Sequence, residues 1–179
     1  MVSGAQRPTA AGTAPGVVSE RERELYAVAG AVPDPELPVL TLAELGVLRA
    51  VRLPAPGRAE VELTPTYTGC PAVETMAADI GTALRAAGVA EVVVRTVLTP
   101  PWSTADITDS GRRKLRAAGI APPRGGGGAG AGTPLTLAIH CPRCDAVDTP
   151  LISRFSGTAC MELRRCAQCA EPFDHMKEI

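Results

Sequence analysis

Residues 141–169 read CPRCDAVDTPLISRFSGTACMELRRCAQC, and the Cys-x-x-Cys pairs at the two ends decide the architecture of the last quarter of the chain. Cys141 and Cys144 form one pair, Cys166 and Cys169 the other, with 21 residues between them. Two such pairs at this separation are the pattern of a tetrahedral four-cysteine metal site. Each short turn presents two thiolates, and the intervening residues can form a hairpin that joins the pairs. Residues 135–179 hold too few large apolar side chains to fold without the metal. The reading is a structural zinc ribbon. Four thiolates also hold iron, and residue types alone do not separate the two metals. With all four positions taken by protein, the metal has no place for a substrate.

Upstream of the ribbon, residues 121–134 (APPRGGGGAGAGTP) read as a flexible linker. The stretch 19–120 is then a domain of its own. Residues 1–18, small and rich in Pro and Gly, read as disordered.

Within 19–120, Ser19-Glu-Arg-Glu22 matches a capping box and opens a helix to about Gly30, with Leu25, Val28 and Ala29 inward. The prolines of Val32-Pro-Asp-Pro-Glu-Leu-Pro38 end it. Val47–Leu53 and Ala59–Thr64 read as strands joined by a Pro-Ala-Pro-Gly turn, the second alternating apolar and charged residues. Pro71 opens a second helix to about Ala87, with Val73, Met76, Ala77, Ile80 and Leu84 at helical spacing and Gly88 at its end. Glu91–Leu98 is the most hydrophobic strand and reads as the central one. A third helix spans about Asp109–Ala118. The order implies an α+β fold: a small α/β sandwich with a three-stranded sheet, followed by the C-terminal four-cysteine zinc ribbon.

Composition narrows the function. Hydrophobic residues make up 45% but aromatics only 3%, so the core is built from Val, Leu, Ile and Ala. A net charge of −1 argues against a broad nucleic-acid footprint. From Leu135 to Ile179 there are five basic and six acidic residues. A zinc-loaded ribbon is therefore acidic, unlike a DNA-binding one. Metal-ligand cysteine spacing and the lack of an apolar signal core point to a reducing, cytoplasmic setting. No run approaches the ~20 apolar residues that cross a membrane.

Two further cysteines stand outside the quartet. Cys70, in Thr68-Gly-Cys-Pro71, precedes a helix that starts with Pro. The expectation is a thiol at the helix N-cap, where free amides and the macrodipole favour the thiolate. A passive cap is the equally weighted alternative. Cys160, in Ser-Gly-Thr-Ala-Cys-Met, reads first as a small buried residue and second as an additional thiol or transient metal ligand. Asp34, Glu36 and Glu44 surround the Pro-rich loop and become partners of Cys70 if the fold joins the two segments. His140 and His175 are not needed as ligands. Trp102 reads as a packing anchor, with an interface role as the alternative. There is no phosphate loop, no H-E-x-x-H and no Ser/His/Asp order, hence no catalytic residue to name.

The order of these motifs resembles a known family. Asp34-Pro-Glu-Leu-Pro-Val-Leu, Leu45-Gly-Val-Leu and Leu63-Thr-Pro-Thr-Tyr-Thr-Gly-Cys-Pro-Ala72 are similar to the metal–sulfur cluster assembly domain of SufT-like proteins. Pro100-Pro-Trp-Ser-Thr, the 111–123 segment and the ribbon narrow this to the PaaD family, accessory subunits of the phenylacetyl-CoA 1,2-epoxidase system of aerobic phenylacetate degradation. The resemblance covers about residues 20–175. It implies a non-catalytic subunit that assists iron or iron–sulfur cluster insertion into an oxygenase or reductase partner. It implies that Cys70, Asp34 and Glu36 form the transfer site, which holds iron or a cluster transiently. Paired E-x-x-H helices of a di-iron enzyme are absent from the sequence. Two other readings stand beside it: a redox-active iron protein that transfers electrons, and a zinc-ribbon interaction adaptor.

Overall fold

The computed structural model describes residues 18–123 and 138–178 of the 179-residue chain. The expected disordered N-terminus, Val18 apart, and residues 124–134 of the expected linker lie outside the described residues.

Helix α1 (Glu20–Gly30) begins where the capping box places it. Ser19 Oγ accepts the Glu22 amide at 3.1 Å, and Glu22 Oε2 accepts the Ser19 amide at 2.8 Å. The other Glu22 oxygen accepts the Leu53 amide at 2.9 Å, so the cap also pins α1 to the first strand. Leu25 and Ala29 are fully buried. A second, four-residue helix follows the proline loop: α2 (Leu42–Leu45), capped by Thr41 and Glu44 in the same reciprocal way. The sequence reading did not include it.

Strands β1 (Leu48–Ala55) and β2 (Arg58–Leu63) pair antiparallel with Val51 opposite Val61. Helix α3 (Ala72–Ala86) crosses to β3 (Glu91–Thr96), which pairs parallel to β2 with Val61 opposite Val94. The sheet order is β1-β2-β3. This corrects the expectation that Glu91–Leu98 is central: β2 holds that place and β3 is an edge. Ala59, Val61 and Leu63 of β2 are buried, while Arg58, Glu60 and Glu62 alternate with them on the other face. That face carries ion pairs from both neighbours, Arg52 to Glu62 at 3.5 Å and Arg95 to Glu60 at 3.4 Å. The valines of β3 are only half-buried, because the strand has a sheet neighbour on one side only. Helical packing from α1 and α3 closes the core through Leu25, Ile80 and Leu84.

After β3 the chain folds back over α2. Trp102 is 4% exposed, and a 3-10 turn (Thr104–Asp106) leads into α4 (Asp109–Ala117), capped by Thr108. Two glycines allow the approach. Gly46, at φ +77°, lies so close to Asp106 that a Cβ would collide with that residue's backbone, and a Cβ on Gly111 would meet the Glu44 carbonyl at 2.9 Å. Glu44 then ties the segment down: it accepts from Lys114 Nζ at 2.8 Å and from Ser110 Oγ at 3.0 Å. These cationic and hydroxyl donors outweigh the cost of partial burial and hold its carboxyl down at about 2.

The ribbon forms a second sheet in the order β4-β7-β6-β5, from β4 (Ile120–Ala121), β5 (Leu151–Ser153), β6 (Met161–Arg165) and β7 (Pro172–Met176). β5 and β6, between the two cysteine pairs, make the expected hairpin, and β6 also pairs antiparallel with β7. β4 lies in chain order before the Gly-rich segment yet pairs with β7, Ala121 opposite His175. Cys160, Met161 and Met176 pack into the same hydrophobic cluster as Leu25 and Ile80. The ribbon therefore shares core with the first sheet's domain.

Candidate metal and thiol sites

The four ribbon cysteines converge. Asp145 donates its amide to the Cys141 carbonyl and Cys166 donates to the Glu171 carbonyl, both at 2.9 Å, and Asp145 and Ala170 adopt positive φ to close the two turns. Cys141 and Cys169 Sγ are 3.7 Å apart, Cys144 and Cys166 Sγ 3.5 Å apart, and all four sulfurs lie within 4.8 Å of one another. A tetrahedron with metal–sulfur arms of ~2.3 Å has edges of about 3.8 Å, so the set fits a four-coordinate ion of zinc's size. The thiols already share charge. The Cys169 amide, helped by that of Gln168, holds Cys166 down at about 7. Against the pull of the Ala146 amide, the neighbouring thiols push Cys144 up to about 12. One thiolate forms readily here, and further ionisation needs a cation to offset repulsion.

The second site lies where the proline loop, the start of α3 and the ribbon meet. The Val32 carbonyl accepts from Leu42 and the Leu40 carbonyl from Asp34, both at 2.9 Å, so the proline loop is closed at its base. Asp34 turns inward and its Oδ1 accepts the amides of Glu36 and Leu37 at 2.9 and 2.7 Å. Cys70 ends the Tyr67–Cys70 turn, whose Gly69 takes φ +86°. Asp34, Glu36, Thr66, Cys70, Met76 and Cys160 are among the residues around a cavity of about 10 Å³, room for one water-sized guest.

Burial governs the chemistry of this cavity. It raises the pKa of Asp34, Cys70 and Cys160 alike. At Cys70 the Ala72 amide opposes it, and the negative charge of Glu36 reinforces it. Burial, with Cys70 and Glu36 beside it, also pushes Tyr67 up to about 12. The expectation of a thiolate stabilised at the helix N-cap is thus corrected: Pro71 is the N-cap, Cys70 precedes it, and desolvation outweighs the amide. The raised pKa keeps the thiol protonated at neutral pH.

Asp34 and Glu36 do come together with Cys70. Glu44 does not; its carboxylate is engaged by Lys114, Ser110 and Thr41. Cys160 reaches the cavity from the ribbon, 8% exposed, with its Sγ 3.0 Å from Thr158 Oγ1. Tyr67, which hydrogen-bonds Cys70, was not singled out from the sequence; its signal is its place three residues before that cysteine. His140 Nδ1 lies 3.2 Å from the Asp145 carbonyl, and His175 Nδ1 lies 2.9 Å from Glu162. No helix among the described residues is long and apolar enough to cross a membrane.

Known proteins match both halves. Residues 22–98 match a family described as iron-sulfur cluster assembly protein, and residues 130–177 match the PaaD zinc beta ribbon domain. An Escherichia coli (strain K12) protein named as a "Putative 1,2-phenylacetyl-CoA epoxidase" subunit is 42% identical over 156 residues, covering 87% of this chain and 92% of that protein. A crystal structure of a DUF59 domain from Bacillus anthracis is 31% identical, with a TM-score of 0.49, over 52% of this chain and 90% of that one. Identity at this level over nearly the whole relative, with a cluster-assembly domain followed by this particular ribbon, makes the chain a member of the PaaD family.

Proposed function

We propose that this chain is the accessory subunit of a phenylacetyl-CoA epoxidase system and assists insertion of iron or an iron–sulfur cluster into an oxygenase or reductase subunit. The observation that carries the reading is the cavity where Cys70 meets Asp34 and Glu36, inside the region that matches the cluster-assembly family. A buried thiol beside carboxylates suits a site that takes up a metal cargo and gives it away. Its thiol stays protonated while the site is empty and ionises as a cation arrives, because burial beside carboxylates disfavours an unpaired thiolate.

The ribbon metal in this reading is zinc, with a scaffolding role. The four sulfurs would hold it, and it would supply cross-linking of the two Cys-x-x-Cys turns and no substrate position. The cytoplasm is the compartment that keeps six free cysteines reduced.

The test is co-production of the epoxidase subunits with wild type or Cys70→Ala. Partner subunits made beside the variant should carry less iron and less activity, while the variant keeps the wild-type circular dichroism spectrum. Full iron in the partners beside Cys70→Ala returns Cys70 to a packing role. A coloured wild-type protein with iron in the ribbon would favour the electron-transfer reading instead, because zinc thiolates are colourless.

A further inference from the structure

Cys160 occupies an unusual place for a cysteine on a ribbon. It precedes β6, where its carbonyl accepts the Lys177 amide at 2.9 Å and the next residue, Met161, pairs with Met176. The hairpin that the quartet organises therefore aims Cys160 at the other half of the molecule. There it lines the same cavity as Cys70, and the charges of Glu36 and Asp34 bear on both thiols. A cysteine kept only for packing would meet apolar neighbours. This one touches a hydroxyl and, besides its apolar neighbours, shares its cavity with a second thiol and two carboxylates.

Asp34 supplies the independent observation. It is 4% exposed, and both hydrogen bonds it accepts fall on Oδ1. Its Oδ2 takes no hydrogen bond from any described residue, although the side chain borders the cavity. A carboxylate with one oxygen fixed by backbone amides and the other open at the cavity is a preoriented metal donor.

We infer that Cys70, Cys160 and Asp34 form a second metal site between the two halves, and that its guest is a single thiophilic divalent cation. This deepens the reading of Cys70 as the transfer site and rests on it. The cavity of about 10 Å³ has room for one ion. Two thiolates and a carboxylate suit iron(II), cobalt(II) or zinc and are poor ligands for magnesium or calcium. Among the described residues, only the ribbon quartet already has three or more ligand atoms within 4.8 Å of one another. The interdomain trio must draw inward on loading, and two thiol protons leave as the ion enters. Three protein donors leave one position of a tetrahedral ion open, through which a partner's ligand can take the cargo. The ribbon is then more than a scaffold, since its fold delivers the second thiolate.

The experiment uses full-length protein with its ribbon zinc-loaded, titrated anaerobically with cobalt(II) and followed by thiolate-to-cobalt absorption. Zinc content is measured afterwards to show that cobalt has not displaced it. Wild type should bind one further equivalent. Cys160→Ser should bind about tenfold or more weakly, with roughly half the charge-transfer intensity, as should Cys70→Ala. Cobalt-edge X-ray absorption on wild type, which needs no variant, should count two sulfurs. One sulfur, or unchanged binding in Cys160→Ser, overturns the paired-thiol site while leaving Cys70 in place if Cys70→Ala loses the cobalt. No uptake beyond the ribbon also overturns it. The maturation reading stands or falls separately, on partner iron beside Cys70→Ala.

Discussion

The indole Nε1 of Trp102 donates to the carbonyl of Leu45 at 2.9 Å, across 57 residues of sequence. Leu45 borders the cavity that Cys70 and Asp34 share, so the bond links the returning segment to the wall of the thiol site. Trp102 is the chain's sole tryptophan and acts as a packing anchor, buried over α2.

Trp102→Ala should destabilise the protein by about 3–5 kcal/mol, the usual cost of removing a buried tryptophan. Trp102→Phe keeps most of the apolar volume but leaves the Leu45 carbonyl unpaired, costing roughly 1–3 kcal/mol. Urea unfolding followed by circular dichroism gives both numbers. Equal stabilities of Trp102→Phe and wild type would show that water replaces the indole donor.

Glu44→Gln should loosen α4. It removes the charge that holds Lys114 and weakens the reciprocal cap of α2. A loss of about 1–2 kcal/mol is expected, from a cap and a partly buried ion pair. The folded-state pKa is depressed to about 2 from an ordinary value near 4.5. The stabilisation is therefore present above about pH 4.5 and fades as pH falls toward 2. The wild-type and Glu44→Gln stability curves should converge over that window.

His175 predicts a second acid dependence at higher pH. It is 3% exposed, its Nε2 has no hydrogen-bond partner, and burial lowers its pKa. Glu162 and Glu178 oppose the shift and Arg164 adds to it. Below about pH 6.5 the unfolded chain takes up this proton before the folded one does, so stability falls as pH falls. The slope is at most about 1.4 kcal/mol per pH unit from this group. Urea midpoints at several values between pH 7.5 and 5.5 should show it, and His175→Gln should flatten it.

Removal of the ribbon metal is expected to reach beyond the ribbon. A structural four-cysteine zinc site contributes roughly 10–16 kcal/mol of apparent binding energy to folding. Read from sequence, Cys166→Ser would unfold residues 135–179 and spare the rest. Cys160, Met161 and Met176, however, lie in the cluster of the first domain, and β7 pairs with β4. Cys166→Ser, or chelation of wild type, should therefore also lower the melting temperature of the α1–β3 region. Amide exchange of Ile80 and Leu84 would report it; unchanged protection there would mean the shared packing adds little.

Much of this was legible because it is local. Capping residues, period-two and helical apolar spacing, and glycines after helix ends are read within a dozen residues, and α1, α3, α4 and the β1–β2 hairpin follow from them. The ribbon quartet was legible for the same reason, as metal-ligand spacing is written along the chain. Helix α2 was hidden by its length: four residues carry no period, and only the Thr41–Glu44 cap marks it. The place of β3 was misread because hydrophobicity reports burial on a strand's faces, whereas centrality depends on which edges are paired.

Local sequence pattern placed the metal quartet and a thiol at the head of α3, but not the core that the ribbon shares with the first sheet. The partners of that thiol are a tertiary result. Cys160 lies 90 residues from Cys70, and Glu44 lies only eight residues from Glu36, yet Cys160 borders the cavity and Glu44 does not. Desolvation decided the protonation of Cys70 in the same way. The helix end that favours a thiolate is visible in sequence, but the carboxylates and apolar walls that oppose it are brought round Cys70 only when the proline loop and the ribbon pack against the start of α3.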